Sequence, residues 1–237
     1  MRYRFPLTMS DSYQKGFSWP MVLMGLVSLI VLAMILSPWF LKARQQGLLT
    51  EAGSNTKAIA GSLSIFRHEY GSYPCDATRE ILAAKGLTIL PPGKSANAYL
   101  AQLIVADIAD SETYFYAAGT ENVHKGDDIK NTPGTILEEG ENGFLYIMAP
   151  DEKALRGDLS ITPLIMASPE KRGRYPRFNT KIYGGKYVYG AVDGSSKQGE
   201  LSEDGTALSK ERAHLFDLGK NSLFGDDIPV FTYPLGL

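Results

Sequence analysis

The chain lacks the residue patterns that most often mark a catalytic or metal site. It has 237 residues but a single cysteine, Cys75, so an intramolecular disulfide is excluded and an exported domain must rely on its core. Its three histidines, His68, His124 and His214, lie far apart and lack the spacing of zinc ligands. No phosphate-binding loop, nucleophile elbow or metalloprotease motif occurs. We therefore predict that the protein is not an enzyme.

A strong charge imbalance is also missing. The chain carries 24 lysines and arginines against 26 aspartates and glutamates. The most basic stretch, residues 170–177, is short, and we interpret it as a solvated loop; contact with anionic lipid or a partner is the alternative. Nucleic acid is not an expected partner.

One stretch, from Trp19 to Leu41, contains no charged residue. Its length corresponds to roughly 35 Å of helix at about 1.5 Å per residue, which exceeds the hydrocarbon core of about 30 Å. Because lipid offers the backbone no hydrogen-bond partners, we expect a membrane-spanning helix. A secretory signal peptide is the alternative, but its apolar region is typically only about 7–15 residues. The flanking positive charges slightly favour a cytoplasmic N-terminus.

Beyond this stretch the helical pattern continues with one largely apolar face. Its residues recur at spacings of three and four. They are Leu48, Ala52, Asn55, Ile59, Leu63, Phe66 and Tyr70. Gly71 can take a left-handed conformation and Pro74 cannot continue a helix, so the helix should end within residues 70–74. We predict a membrane-spanning segment at residues 17–41 and an amphipathic continuation at 42–73.

The remainder, residues 74–237, is predicted to be a globular α+β domain. Short helices are expected at residues 77–85 and 96–109, the second capped by Ser95. The polar stretch 120–141 is interpreted as a surface loop.

Strand-like runs occupy the second half of this domain. Residues 144–148 and 161–166 are predicted strands, and Pro163 places the second at an edge or a bulge. Asp193-Gly194 lies between two further strand-like runs and predicts a hairpin turn. We therefore expect an antiparallel sheet with the amphipathic helix packed against it.

The segment Lys15-Gly16-Phe17-Ser18, directly before the apolar run, resembles the prepilin processing site of type IV pilins and type II secretion pseudopilins. The resemblance implies cleavage after Gly16 and a mature chain that begins with a methylated Phe17. Pro38 matches the position of a helix-bending proline in that family. The fifth mature residue is Met21 instead of the usual glutamate, which favours a minor subunit over the main repeating one.

Other segments resemble pseudopilin-like sequences in the same order along the chain. Residues 55–74 resemble the junction between the helix and the globular part, where Tyr73-Pro74 would close the helix end against the sheet; a ligand role is the alternative. Residues 95–119 and 184–195 resemble stretches of uncharacterised pseudopilin-like proteins.

The resemblance implies a structural subunit of a type II secretion or type IV pilus-like filament. Residues 1–16 would be a leader removed by prepilin peptidase. The protein would be a single-pass protein of the bacterial inner membrane with its C-terminal domain in the periplasm. Its partners would be other pseudopilins or further copies, bound through the N-terminal helix.

Two other functions remain as hypotheses. A membrane-tethered binding module that does not polymerise is slightly favoured by Met21 and by Trp19-Pro20. An anchored enzyme would require a deep pocket with converging titratable groups.

Carboxylates supply the single cofactor hypothesis. Several pseudopilins bind calcium in a C-terminal loop, and here Asp217, Asp226 and Asp227 lie in a glycine-containing segment with oxygen ligands for a hard cation. Their spacing is not that of an EF-hand, so a solvated acidic loop is the preferred interpretation. The acidic stretch 138–141 is a weaker candidate. We expect no cofactor, with calcium as the alternative.

Overall fold

One helix, α1, forms from Trp19 to Tyr70 in a computed structural model of the chain. Leucine, methionine and alanine, which favour helices, make up much of its first half. Gly71 takes a φ of 79°, and its N–H donates to the carbonyl of Arg67 at 2.9 Å, which ends the helix as expected. Pro38 lies inside the helix and removes one backbone donor from it.

The structure describes residues 19–87, 90–120, 122–130, 134–148, 160–171, 173–209, 214–217, 223–224 and 229–237. The predicted leader and processing site, including Gly16 and Phe17, lie outside the described residues. So do the candidate calcium ligands Asp226 and Asp227.

The chain divides into two units, Met1–Ala43 and Arg44–Leu237, with the boundary inside α1. The described part of the first unit is helical, and its large apolar side chains are exposed. The second unit holds the hydrophobic core and the sheet.

Two further α-helices follow in the second unit, α2 at Asp76–Ala84 and α3 at Ala96–Val105. Ser95 caps α3, and its side chain accepts a hydrogen bond from the N–H of Ala98. The prediction that α3 reaches residue 109 is wrong. Asp107 takes a φ of 57°, and the N–H groups of Ile108 and Ala109 both turn back to the carbonyl of Leu103.

The described residues form seven strands, β1 Phe144–Met148, β2 Pro163–Ala167, β3 Pro169–Lys171, β4 Arg177–Phe178, β5 Lys186–Ala191, β6 Ser196–Glu200 and β7 Val230–Thr232. Five of them form one antiparallel sheet in the order β6-β5-β2-β1-β7. The remaining two, β3 and β4, pair with each other in a separate ribbon. The protein thus has the α+β layout that the pilin resemblance implies.

Strand β2 is an interior strand, so of the two positions expected from Pro163, an edge or a bulge, the structure has the bulge. It pairs with β1 on one side and with β5 on the other. Pro163 is tolerated because it is the first residue of the strand, and the register shifts between Pro163 and Ile165, as a bulge there requires.

The basic stretch 170–177 is only partly a loop, because β3 and β4 pair across it. Pro169 is opposite Phe178, which is buried and anchors the ribbon to the core. Arg177 makes an ion pair with Asp204.

The β5–β6 hairpin forms around Asp193-Gly194, but with a different turn from the one expected. The N–H of Gly194 donates to the carbonyl of Ala191 at 2.9 Å. Gly194 has a φ of 80°, whereas the φ of Asp193 is not positive. A longer loop with one left-handed glycine therefore replaces the two-residue turn.

The second half of α1 packs against the sheet within the second unit. Its buried residues are Leu49, Ala52, Thr56, Ile59, Ala60, Leu63 and Phe66. Gly190 of β5 makes room for this packing, because a Cβ added there would lie only 2.9 Å from the Cβ of Ala60. The amide of Asn55 also donates to the carbonyl of Tyr116 at 2.9 Å.

Candidate cation site and helix–sheet junction

The residues after α1 connect the end of the helix to the sheet. The ring of Tyr70 stacks on that of Phe66 at 4.5 Å between centroids. The hydroxyl of Tyr146, in β1, donates to the carbonyl of Pro74 at 2.9 Å, and the hydroxyl of Tyr73 donates to the carbonyl of Val192 at 3.4 Å. Burial raises the pKa of Tyr146 well above its usual value, so this hydroxyl is a donor at all physiological pH values. These contacts join the end of α1 to β1 and to the loop after β5.

Three carboxylates lie close together in the second unit, and one of them, Glu141, comes three residues before β1 begins. Glu112 begins a short 3-10 helix, Glu112–Phe115, while Asp127 and Glu141 belong to the stretch 120–141. One carboxylate oxygen from each of the three lies within 4.8 Å of the others. Glu112 is 0% exposed and Glu141 3% exposed, whereas Asp127 is exposed.

Backbone hydrogen bonds hold the two buried glutamates in place. The Oε1 atom of Glu112 accepts from the N–H of Leu137 at 3.1 Å. Glu141 accepts from the N–H of Asp127 at 3.2 Å and from that of Glu138 at 2.8 Å. The Oε2 atom of Glu112 is buried and has no hydrogen-bond partner.

The electrostatic environment disfavours a charged Glu112. Burial is the largest cause that raises its pKa, and the nearby charges of Glu141 and Asp127 act in the same direction. Hydrogen bonds from the backbone partly offset this. Within the described ranges, no lysine or arginine forms an ion pair with any of the three carboxylates.

The described part of the stretch 120–141 contains no helix or strand and is mostly exposed or half-buried, as its polarity predicts, but its second half also contains buried residues. Ile136, Leu137 and Glu141 are buried, and the N–H of His124 donates to the carbonyl of Gly140 at 2.7 Å. This hydrogen bond joins the beginning of the stretch to its end. The apolar pair Ile136-Leu137 inside a polar segment was the sequence signal for this burial.

Glycine allows the backbone to approach the cluster. A Cβ added at Gly126 would collide with the Cβ of Glu112. Gly126 directly precedes Asp127, so this close contact brings the Asp127 backbone next to Glu112. Glu141 was a weak candidate from the sequence, but no local pattern indicated Glu112 or Asp127 as its neighbours.

The other candidate residues do not meet at one place in the described part of the chain. Asp217 is exposed and belongs to no group of three potential ligands there. His214 is half-buried, and its Nδ1 atom accepts a hydrogen bond from the N–H of Phe216 at 3.1 Å. Neither residue joins the carboxylate cluster.

Among the described residues, α1 is the helix that is long and apolar enough to cross a membrane. None of its most apolar stretch of 18 residues is buried. No family model matches the sequence, and comparison with curated proteins and with solved structures gives no match.

Proposed function

We propose that this protein is a structural, pseudopilin-like subunit of a type II secretion or type IV pilus-like filament. The observation that supports this best is the division of α1. Its first part exposes a continuous apolar surface, and its second part is built into the core of a domain with an antiparallel sheet.

The exposed apolar surface of α1 requires an apolar environment. Its large side chains include Leu23, Leu26, Leu29, Leu32, Ile35 and Phe40. A surface of this extent is not stable in water, so it must be covered by lipid or by other helices. A filament subunit uses both environments in turn, with lipid before assembly and neighbouring helices afterwards.

Helix bundling replaces the burial that lipid provided before assembly. Because lipid tails and apolar side chains are similar in polarity, packing between helices can compensate for leaving the bilayer. The globular domain would then lie on the outside of the filament. In this proposal the domain is periplasmic, and the N-terminus begins in the cytoplasm.

Processing at Gly16 tests the proposal directly. The full chain would be produced in a bacterium with and without a prepilin peptidase, purified from membranes and measured by intact-mass spectrometry. We expect a chain that begins with methylated Phe17 only when the peptidase is present. Gly16→Val should remain uncut, whereas the control Gly25→Ala, inside α1 and away from the cleavage site, should be processed normally.

An intact Met1 in the presence of the peptidase, or a new N-terminus at another residue, would contradict the proposal. Cleavage of Gly16→Val at the same position would count equally against it, because the site would then not be read through its glycine.

A membrane-tethered binding module is the second candidate, and one observation favours it. The first turn of α1 contains no acidic residue, and Met21 occupies the position where pilin-type subunits usually have glutamate. Crosslinking in membranes separates the two functions. With Cys75 replaced by serine, a Leu23→Cys variant should form crosslinked oligomers if α1 bundles, and should stay monomeric if the protein is only tethered.

A further inference from the structure

We propose that Glu112, Asp127 and Glu141 form a binding site for one calcium ion. The site lies between the 3-10 helix and β1, within the second unit. It is separate from the C-terminal carboxylates that the sequence first suggested.

The size of the cluster fits calcium. Calcium binds oxygen ligands at about 2.3–2.6 Å, so two oxygens on one ion can be at most about 5 Å apart. The three carboxylate oxygens lie within 4.8 Å of one another. Magnesium demands near-ideal octahedral geometry at about 2.0–2.1 Å and usually keeps several waters, whereas calcium accepts the more flexible geometry that three separate chain segments provide.

Burial of two carboxylates requires a compensating positive charge. Buried charged groups are normally paired or coordinate a metal. The nearest basic residues in sequence are engaged elsewhere: Lys125 pairs with Glu51 at 2.8 Å, and Lys130 donates to the carbonyl of Asp110. A cation bound between Glu112 and Glu141 would supply the missing charge.

The unpaired Oε2 atom of Glu112 is a second, independent sign of a ligand. Buried polar atoms in folded proteins almost always have a partner, and this one has none although Oε1 of the same carboxylate is held by Leu137. Each oxygen of Glu141 accepts one backbone hydrogen bond, Oε1 from Asp127 and Oε2 from Glu138, which leaves lone pairs for a metal.

The site is both preorganised and accessible. Glu112 and Glu141 are fixed by backbone hydrogen bonds, while Asp127 is exposed and opens the cluster to solvent. The side chains available are all oxygen donors, which suits a hard cation and disfavours zinc or copper.

A bound proton is the competing explanation. A neutral Glu112, favoured by burial and by its acidic neighbours, would also remove the excess negative charge. Direct measurement of metal binding separates the two, since a proton-stabilised cluster has no reason to bind calcium.

The test uses the full chain in detergent micelles, stripped of metal with a chelator and titrated with calcium or magnesium by calorimetry. We expect one calcium per chain and clearly weaker magnesium binding. Glu112→Gln keeps the side-chain shape but removes a charge, and should weaken calcium binding at least about tenfold, because affinity follows ligand charge. Glu138→Gln, exposed in the same stretch and outside the cluster, is the matched control and should bind as the unaltered protein does.

Asp127→Asn provides a variant whose folding is not at risk, because Asp127 is exposed. It should also weaken calcium binding and therefore decides the question if Glu112→Gln does not fold. The proposal is overturned if the unaltered protein shows no saturable calcium binding up to about 1 mM, the weak end of protein calcium sites. It is equally overturned if Asp127→Asn binds calcium unchanged, or if magnesium binds as tightly as calcium.

Discussion

At the scale of single residues, Asn97 connects three distant parts of the second unit. Its amide nitrogen donates to the carbonyls of Leu137 at 2.7 Å and of Glu138 at 2.9 Å. Its oxygen accepts from the N–H of Leu235 at 2.9 Å and from the amide of Asn142 at 3.3 Å. One buried side chain thus ties α3 to the stretch before β1 and to the segment after β7.

Asn97→Ala should destabilise the protein by about 2–4 kcal/mol, because several buried polar groups lose their partners at once. Asn55→Ala, which removes a single partly buried bond to Tyr116, should cost about 1 kcal/mol. Urea unfolding of the full chain in detergent measures both. Equal decreases in the free energy of unfolding for the two variants would show that the several hydrogen bonds of Asn97 contribute no more than the single bond of Asn55.

His214 should make stability depend on pH. Burial lowers the pKa of His214, and the nearby negative charge of Asp217 only partly offsets this effect. A histidine with a lowered pKa in the folded state binds its proton more readily when unfolded, so its contribution to stability is complete above about pH 6.5 and is lost as the pH falls below that value. His214→Gln should therefore reduce the fall in melting temperature between pH 7.5 and pH 5.5.

The control for this experiment is His68→Gln, at an exposed position on α1. It should leave the pH dependence of the melting temperature as it is in the unaltered protein. If both variants change the pH dependence of the melting temperature by the same amount, the burial of His214 is not the cause of that dependence.

At the scale of elements, the contact between α1 and β5 depends on a missing side chain. A Cβ at Gly190 would lie 2.8 Å from the Cγ1 atom of Ile165 and 2.9 Å from the Cβ of Ala60. The Ala60 Cβ belongs to a packed helix and cannot rotate away. The helix therefore approaches the sheet more closely than any other residue at position 190 would allow.

Gly190→Ala should destabilise the protein by about 1–3 kcal/mol through overpacking. Gly61→Ala is the matched change on the helix, where an added Cβ meets nothing within 4 Å, and it should stabilise by up to about 1 kcal/mol through helix propensity. Thermal unfolding of the two variants measures the difference. A stabilising Gly190→Ala would contradict the close packing of α1 on β5.

The elements also show what the sequence could and could not predict. Local patterns sufficed for α1, for β1 and for the position of the β5–β6 hairpin, because spacing and turn residues act over a few positions. The interior position of β2, the β3–β4 ribbon and the carboxylate cluster depend on contacts between distant residues. Glu112 and Glu141 are brought together by folding of the stretch between them, which no local pattern records.

At the scale of the whole molecule, the two units differ in how they bury apolar surface. The described part of the first unit exposes its large apolar side chains, whereas the second unit has its own core and sheet. The processing site, the cellular location and the filament partners stay predictions from the sequence.

Removal of residues 1–43 should give a folded, monomeric protein in water without detergent, because the second unit holds its own hydrophobic core. The full chain should require detergent to remain soluble. Circular dichroism and size-exclusion chromatography would check both expectations. Aggregation of the shortened chain would show that its core is incomplete without the first unit.

The position of β7 at one side of β1 has a consequence for biosynthesis. Ribosomes add about 5–20 residues per second, so β7 emerges roughly 4 to 17 s after β1 has been translated. Throughout that interval the free side of β1 has no neighbour, and a nascent chain in this state can pair with other unfinished chains. The apolar N-terminal segment has already been synthesised by then, so its apolar surface can be covered before the sheet is complete.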